Sequence, residues 1–362
     1  MSSKRTAQTR TAASRAGHRG RSSDATTKAP PRGSQGAAAP CSWDEEAVAS
    51  SLDQAQRLCA TSTEQVRHTY RLIRDGRRLD GSACMDQVRE IGQALSRADG
   101  IFLAVSRLKT GADYTERHQV AVCGLMQALA REIGMPEKDV SSAGAAGLLH
   151  DIGKATLPGE LLSRPGPLTG EEFSIAKEHT LAGQRVLAQA DMPPEVQQAA
   201  AGHHERMTGG GYPRSQIASE IPLFARMAAI CDVYDALTSA RPYGPPAQPA
   251  LALREMASWH GQFDRELMEA FRIAVGIYPV GSLVRLASKR LGVVVAPGNR
   301  PLAPKVRLLK TLTGLPLSPD VIDLASTERP EGIVGIEDPR AWNLGDLDDW
   351  WLAPLTAPGQ AQ

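Results

Sequence analysis

The sequence predicts a mainly α-helical protein that ends in a short β segment, and three observations predict it. Aromatic residues make up 4% of the chain while Ala and Leu abound, a balance that favours helices over strands, which prefer aromatic and β-branched side chains. From about residue 43 to residue 275, apolar residues recur at helical spacing, punctuated by Gly and Pro at 134–136, 158–170, 191–194 and 209–213. After Gly276 the texture changes to β-branched runs around a turn.

Residues 1–40 carry eight Lys or Arg and one Asp, so +7 sits there and −6 on the rest of a chain whose net charge is +1. Rich in Ala, Ser, Thr, Gly, Arg and Pro, this tail cannot bury enough apolar surface to offset its ordering and reads as disordered. A basic tail suits an anionic partner such as nucleic acid or a membrane surface. No aromatics interleave with its Arg residues, as single-strand binding requires, so a solubilising leader is the plainer expectation.

Residues 41–110 read as a helical N-terminal region. Ser42 and Glu45 have the spacing of a capping box. Helices are expected over about 43–75 and 84–108, separated by a turn near Asp80-Gly81. Residues 111–275 form the next helical region. Val120, Cys123, Leu125, Met126, Leu129 and Ile133 share one helix face. A further helix ends in LLHDIGK (148–154), with Gly153 as its stop. Residues 194–206 start a helix with Pro in the first turn and run into a GGGYP loop. Residues 276–310 read as a short β segment, with a hairpin over 281–298, and 311–362 as a loop-rich extension in which DLDDWWLAP has no assignment. No internal repeat is present.

Cys41, Cys59, Cys84, Cys123 and Cys231 are odd in number and form no CxxC pair, which argues against a disulfide framework or a thiolate zinc site and for a reducing cytoplasm. No apolar run approaches the roughly 18 residues that cross a bilayer. The N-terminus has no apolar h-region of a secretory signal.

The chemistry lies in the histidines. Of eight in the chain, His118, His150, His179, His203 and His204 fall between residues 118 and 204, with Asp151 and Asp232 beside them in the pattern. Imidazoles and carboxylates without thiols suit Fe, Mn or Zn. His150-Asp151 and His203-His204 each offer adjacent ligands at a helix end, and Asp232 and Asp235 at i and i+3 share a helix face. One ion takes about three or four protein ligands, so seven candidates point to two ions. Two cations ~3.5–4 Å apart suit phosphodiester hydrolysis, and Lys154 can neutralise developing phosphoryl charge. Each histidine alone is an ordinary surface or core residue, and Gly209 to Gly211 alone are an ordinary turn. HDxxK, a His about 28 residues on, HHE with a Gly-rich loop, and DxxD, in that order, are a specific signal.

Those segments, DYTERH (113–118), LLHDIGK (148–154), EHTLAG (178–183), HHERMTGGGYP (203–213), ICDVYDALTSARPY (230–243) and GIYPVGSLVRL (276–286), resemble the HD-GYP family of HD phosphohydrolases. The resemblance implies an HD-type helical bundle over 111–275 with a di- or trinuclear Fe or Mn site. The activity it implies is hydrolysis of cyclic di-GMP to pGpG or GMP in bacterial signalling. It makes His118, His150, Asp151, His179, His203, His204 and Asp232 the metal ligands, and Asp151 and Lys154 catalytic. Lys154, Gly211, Tyr212, Pro213, Asp235 and Arg241 become substrate contacts, with the loop glycines allowing close approach to the ligand. Three positions depart from the family. Tyr114 replaces a Glu of trinuclear members, which favours two divalent ions. Met207 and Thr208 replace Trp and Asp, expected to loosen the loop. Gly244 follows RPY where Arg or Lys is usual, costing a phosphate contact. The expected partner is cyclic di-GMP; a signalling protein such as a GGDEF-type cyclase and a homodimer are left open, and neither DNA nor a membrane span is expected. The alternative is a weakened domain that binds cyclic di-GMP or docks on a protein without turnover.

Overall fold

The computed structural model describes residues 45–97, 100–109, 113–163, 166–240, 246–325 and 331–356. The basic tail, Ser42, Cys41, Arg241 and Gly244 lie outside them. The helices are α1 (Glu45–Arg74), α2 (Gly81–Arg97), α3 (Ile101–Arg107), α4 (Tyr114–Glu132), α5 (Glu137–Leu149), α6 (Gly159–Ser163), α7 (Gly170–Lys177), α8 (His179–Gln189), α9 (Pro194–Gly202), α10 (Leu223–Thr238), α11 (Pro249–Ser258), α12 (Arg265–Ala274) and α13 (Leu347–Thr356). Short 3-10 helices occupy Ile152–Thr156 and Pro339–Trp342. Five strands, β1 (Leu283–Leu286), β2 (Arg290–Ala296), β3 (Lys305–Thr311), β4 (Val321–Asp323) and β5 (Ile333–Ile336), form one antiparallel sheet in the order β4-β3-β2-β1-β5. Among the described residues, no helix is long and apolar enough to cross a membrane.

Helix α4 is the axis. Residues 118–130 contain no charged side chain of the Asp, Glu, Lys or Arg type, and a helix without a polar face belongs inside. Accordingly Val120, Val122, Cys123, Met126 and Leu129 are fully or almost fully buried. Helices α1, α3, α5, α10 and α12 surround it. Gly147 brings α5 against α4 so closely that a Cβ there would lie 2.6 Å from the Val122 carbonyl oxygen. One apolar core runs from Leu52 of α1 to Trp351 of α13, so residues on both sides of the expected divisions at 110 and 275 contribute to it. Truncating a core residue such as Leu129 to Ala costs about 2–5 kcal/mol.

The sheet covers one side by the alternation of its strands. Leu283, Leu291, Val293 and Val295 join the helical core, while Val284, Leu286, Val294, Val306 and Leu308 form a second small cluster with Leu324.

Local differences from the sequence reading have physical causes. The expected helix 84–108 is two helices, interrupted near Gly100, whose φ of 75° breaks the helical run. Asp80-Gly81 is a helix start rather than a turn, because Asp80 Oδ1 accepts a hydrogen bond from the Ala83 backbone N–H at 3.0 Å. The chain turns earlier, at Gly76, with φ 72°. Gly153 is not the stop of α5, which ends at Leu149. It is a contact point: a Cβ there would fall 1.9 Å from the His179 carbonyl oxygen and 2.4 Å from the Gly183 nitrogen. The expected hairpin is the middle of a larger sheet, and residues 311–362 supply β4, β5 and α13. Strands of three and four residues are too short to show a period.

Candidate metal centre

The side chains of His118, His150, Asp151, His179, His203, His204 and Asp232 converge where the start of α4, the ends of α5 and α9, the start of α8 and the middle of α10 meet. Helix ends bring them together. His150 and His203 are the residues that cap the C-termini of α5 and α9, while His179 opens α8. Two groups can each hold an ion, Asp151 with His179, His203 and His204, and Asp151 with His118 and His150, their candidate ligand atoms lying within 4.8 Å of one another in each. Asp151 belongs to both. Asp232 adjoins the second group, its Oδ1 being 3.1 Å from His118 Nε2.

The imidazoles are oriented from behind. His150, His179 and His203 each place Nδ1 against a backbone carbonyl of the preceding turn: Gly147 at 2.8 Å, Ala176 at 2.6 Å and Ala200 at 3.0 Å. An Nδ1–H donated to a carbonyl leaves Nε2 as a lone pair, and these Nε2 atoms point inward. His179 Nε2 lies 3.2 Å, and His203 Nε2 3.6 Å, from Asp151 Oδ1. Yet Asp151 Oδ1 and His150 Nε2 are buried without a well-formed hydrogen bond. Leaving a buried polar atom unpaired costs about 1–3 kcal/mol, and lone pairs facing one another in a closed space are what a cation satisfies. The donor set, nitrogen and carboxylate oxygen backed by outer hydrogen bonds, fits a divalent metal.

Charge is arranged to the same end. Burial works against ionising Asp151, but it is outweighed, foremost by the Lys154 ammonium, and the carboxyl is held well below the usual range. The Lys154 ammonium sits 2.5 Å from Asp151 Oδ2 and keeps part of its side chain in solvent. For Asp232 burial is likewise outweighed, foremost by His118, and the carboxyl is held well down. Burial pushes His203 down to about 4, and burial with the adjacent His203 holds His204 well below the ordinary imidazole value. Both are therefore neutral, as metal ligation requires.

Asp235 differs from the expected substrate contact. It is 2% exposed, binds the Lys109 ammonium, and accepts from His118 Nδ1 at 2.6 Å. Its i, i+3 partnership with Asp232 therefore grips one imidazole from both sides, Asp232 at Nε2 and Asp235 at Nδ1. Tyr114, a turn before His118, stacks on that ring at 6.1 Å with an interplanar angle of 5°.

In the loop, the Tyr212 ring lies 4.6 Å from that of His204. Gly211 is packed against the loop's own backbone: a Cβ there would meet Glu205 Cα at 2.4 Å. Its close approach is thus to the chain's own backbone. Pro213 follows Tyr212 through a cis peptide bond. Thr208 forms a β-bridge with Ile217. Buried Glu205 accepts from the Arg214 and Gln216 backbone N–H groups at 2.7 and 2.9 Å, closing the loop across its base.

Two residues escaped the sequence reading. Lys109 carries no motif and reaches Asp235 across 126 positions, a contact only the fold discloses. Glu205 stood within HHE, and its place after two ligands was the available signal.

Known proteins resemble this chain in sequence. The family described as HD domain matches residues 101–267. The cyclic di-GMP phosphodiesterase PA4108 of Pseudomonas aeruginosa is 42% identical over 316 residues, which is 86% of this chain and 76% of that protein. A cyclic di-GMP phosphodiesterase of Thermotoga maritima is 41% identical over 160 residues, 43% of this chain and 44% of that protein. The 3'3'-cGAMP-specific phosphodiesterase 1 of Vibrio cholerae is 38% identical over 132 residues, 36% of this chain and 31% of that protein.

Proposed function

Because this chain belongs to the HD-GYP family of HD-domain proteins, we propose that it is a phosphodiesterase that hydrolyses cyclic di-GMP to pGpG, GMP or both in bacterial second-messenger signalling. The observation that carries this reading is the convergence of seven His and Asp side chains around the buried, unpaired His150 Nε2 and Asp151 Oδ1. Two divalent ions, Fe or Mn, are the occupants we assign. His179, His203, His204 and Asp151 would hold one, and His118, His150, Asp151 and Asp232 would hold the other. Tyr114, which replaces a carboxylate ligand with a ring, is the reason for two ions rather than three. Such ions lower the pKa of a bound water and draw charge from the phosphate oxygens.

The chain's own residues do the rest. Asp151 stays ionised, and Lys154, tethered to it with its stem reaching solvent, offers its ammonium to a non-bridging phosphate oxygen as charge develops there. Asp235 fixes the tautomer and tilt of His118 and is a positioning residue, not a substrate contact. Tyr212 presents a phenol with no hydrogen-bond partner among the described residues and serves the substrate, with Pro213 shaping its loop. Arg241 remains a proposed phosphate contact from the sequence motif. Four unpaired buried thiols among the described residues suit a cytoplasmic setting, alongside GGDEF-type cyclases that make the same messenger.

The relatives' names cover both cyclic di-GMP and 3'3'-cGAMP, and the more extensive match favours cyclic di-GMP. The test is expression without oxygen, metal analysis and a cyclic dinucleotide panel on one sample. Metal-bearing protein should release pGpG or GMP, and His150→Ala should not. Faster turnover of another cyclic dinucleotide would overturn the substrate, and activity surviving Asp151→Ala the mechanism.

A further inference from the structure

We propose that α7 carries a stacking shelf for a purine base of the substrate, built from Phe173 and Lys177 together with Tyr212. The inference rests on the proposed hydrolysis of a cyclic dinucleotide and assigns the part of the site that holds its base.

Helix α7 contributes no buried residue. A capping box fixes its start: the Thr169 hydroxyl accepts from the Glu172 N–H at 3.2 Å, and the Glu172 carboxylate accepts from the Thr169 N–H at 2.7 Å. The helix is therefore placed by hydrogen bonds and chain connection rather than by a core. Nevertheless it carries Phe173, 45% exposed, in a chain that buries Phe102, Phe224 and Phe271. An exposed ring that no packing demands points to a ligand when it adjoins a site.

Phe173 does adjoin one. Its ring meets Tyr212 edge to face, with centroids 5.9 Å apart and planes at 79°. Tyr212 in turn lies 4.6 Å from His204. The Lys177 ammonium stands 4.6 Å from the Phe173 centroid and 5.5 Å from that of Tyr212. Among the described residues it has no carboxylate partner. The rings thus lead outward from a metal ligand, Tyr212 then Phe173, with one uncompensated positive charge between them. A nucleotide with its phosphate at the histidine cluster projects a base in some outward direction, and aromatic faces beside a cation are the surface that bases stack on. The shelf is independent of the metal ligands, so its loss weakens substrate binding without emptying the centre.

The test compares the metal-loaded full chain with Phe173→Leu, Phe173→Trp, Lys177→Gln and Ile175→Ala, reading KM, kcat and bound metal with cyclic di-GMP. Ile175 is equally exposed, at 43%, on the same helix, and serves as the control. Phe173→Leu should raise KM about tenfold, the scale of one lost base stack, with bound metal retained and kcat falling far less. Phe173→Trp should restore KM, Lys177→Gln should raise it several-fold, and Ile175→Ala should leave it alone. An unchanged KM in Phe173→Leu overturns the shelf, as does an equal rise in Ile175→Ala. If the wild-type chain does not turn over cyclic di-GMP, the proposed function fails separately, and calorimetric binding of that nucleotide reads the shelf instead. Weaker binding by Phe173→Leu then supports the shelf, whereas equal binding, or none by the wild type, overturns it.

Discussion

Two buried polar clusters of this protein are built on opposite plans. Where α13 closes on α3, Arg107 forms two hydrogen bonds to Asp348, at 2.5 and 3.2 Å, and the Trp351 indole N–H donates to the same carboxylate at 2.7 Å. Opposite charges are matched there, and the cluster is complete within the chain. At the histidine centre, Nε2 atoms and carboxylate oxygens face one another and two buried atoms have no hydrogen bond. The first cluster closes the fold. The second spends folding energy on an arrangement that only an added cation repays, which is the mark of function rather than of architecture.

Breaking each cluster should therefore do different things. The largest effect is expected from Asp151→Ala, which removes the carboxylate shared by both ligand groups. Its loss of cyclic di-GMP turnover should exceed the about 10- to 100-fold typical of losing an outer partner, measured as kcat with bound metal in parallel. Asp348→Ala does the converse. It strands a buried guanidinium, and urea unfolding should show a loss of about 3 kcal/mol with kcat retained in the protein that remains folded.

Asp235→Asn sharpens the contrast, because Asp235 belongs to both plans: paired with Lys109, it also orients His118. Metal affinity should fall about 10- to 100-fold, more than thermal stability alone would explain, in a direct metal titration. Unchanged metal affinity would make it a packing residue only.

The smallest effect is one of pH on the metal-free protein. Burial depresses His203 to about 4 and holds His204 well below its ordinary value, so the unfolded chain takes up protons that the folded centre refuses. Stability should then decline as pH falls from about 6.5 towards 4. His118 runs the other way. Despite burial, Asp232 and Asp235 raise its pKa, so its contribution is present at low pH and fades as pH rises. Two depressed imidazoles against one raised leave a net decline, read from urea midpoints at pH 7 and pH 5, and saturating metal should flatten it over that interval.

How much of this was legible in the sequence follows the same division. The ligand residues announce themselves, since HD and HH place side chains at helix ends and DxxD places two on one face within α10 by local geometry alone, and the structure gathers all seven. The central helix is equally readable from the uncharged run 118–130. What could not be read depends on distant contacts. Lys109 meets Asp235, and Arg107 meets Asp348, across stretches with no shared period. DLDDWWLAP becomes intelligible only when Trp351 is seen buried and Asp348 paired. Gly153 was legible as a glycine that mattered but not as a place where the backbone of the 3-10 turn lies directly against that of α8.

The most direct test of the central claim is a metal titration of the metal-free full chain followed by thermal unfolding. Binding to the folded state alone raises Tm. The account predicts that Mn or Fe(II) binds at about two ions per chain, as the ligand count requires, and raises Tm, while Asp151→Ala binds less and gains little. A wild-type chain that takes up no metal, or gains no more stability from it than Asp151→Ala, would contradict it.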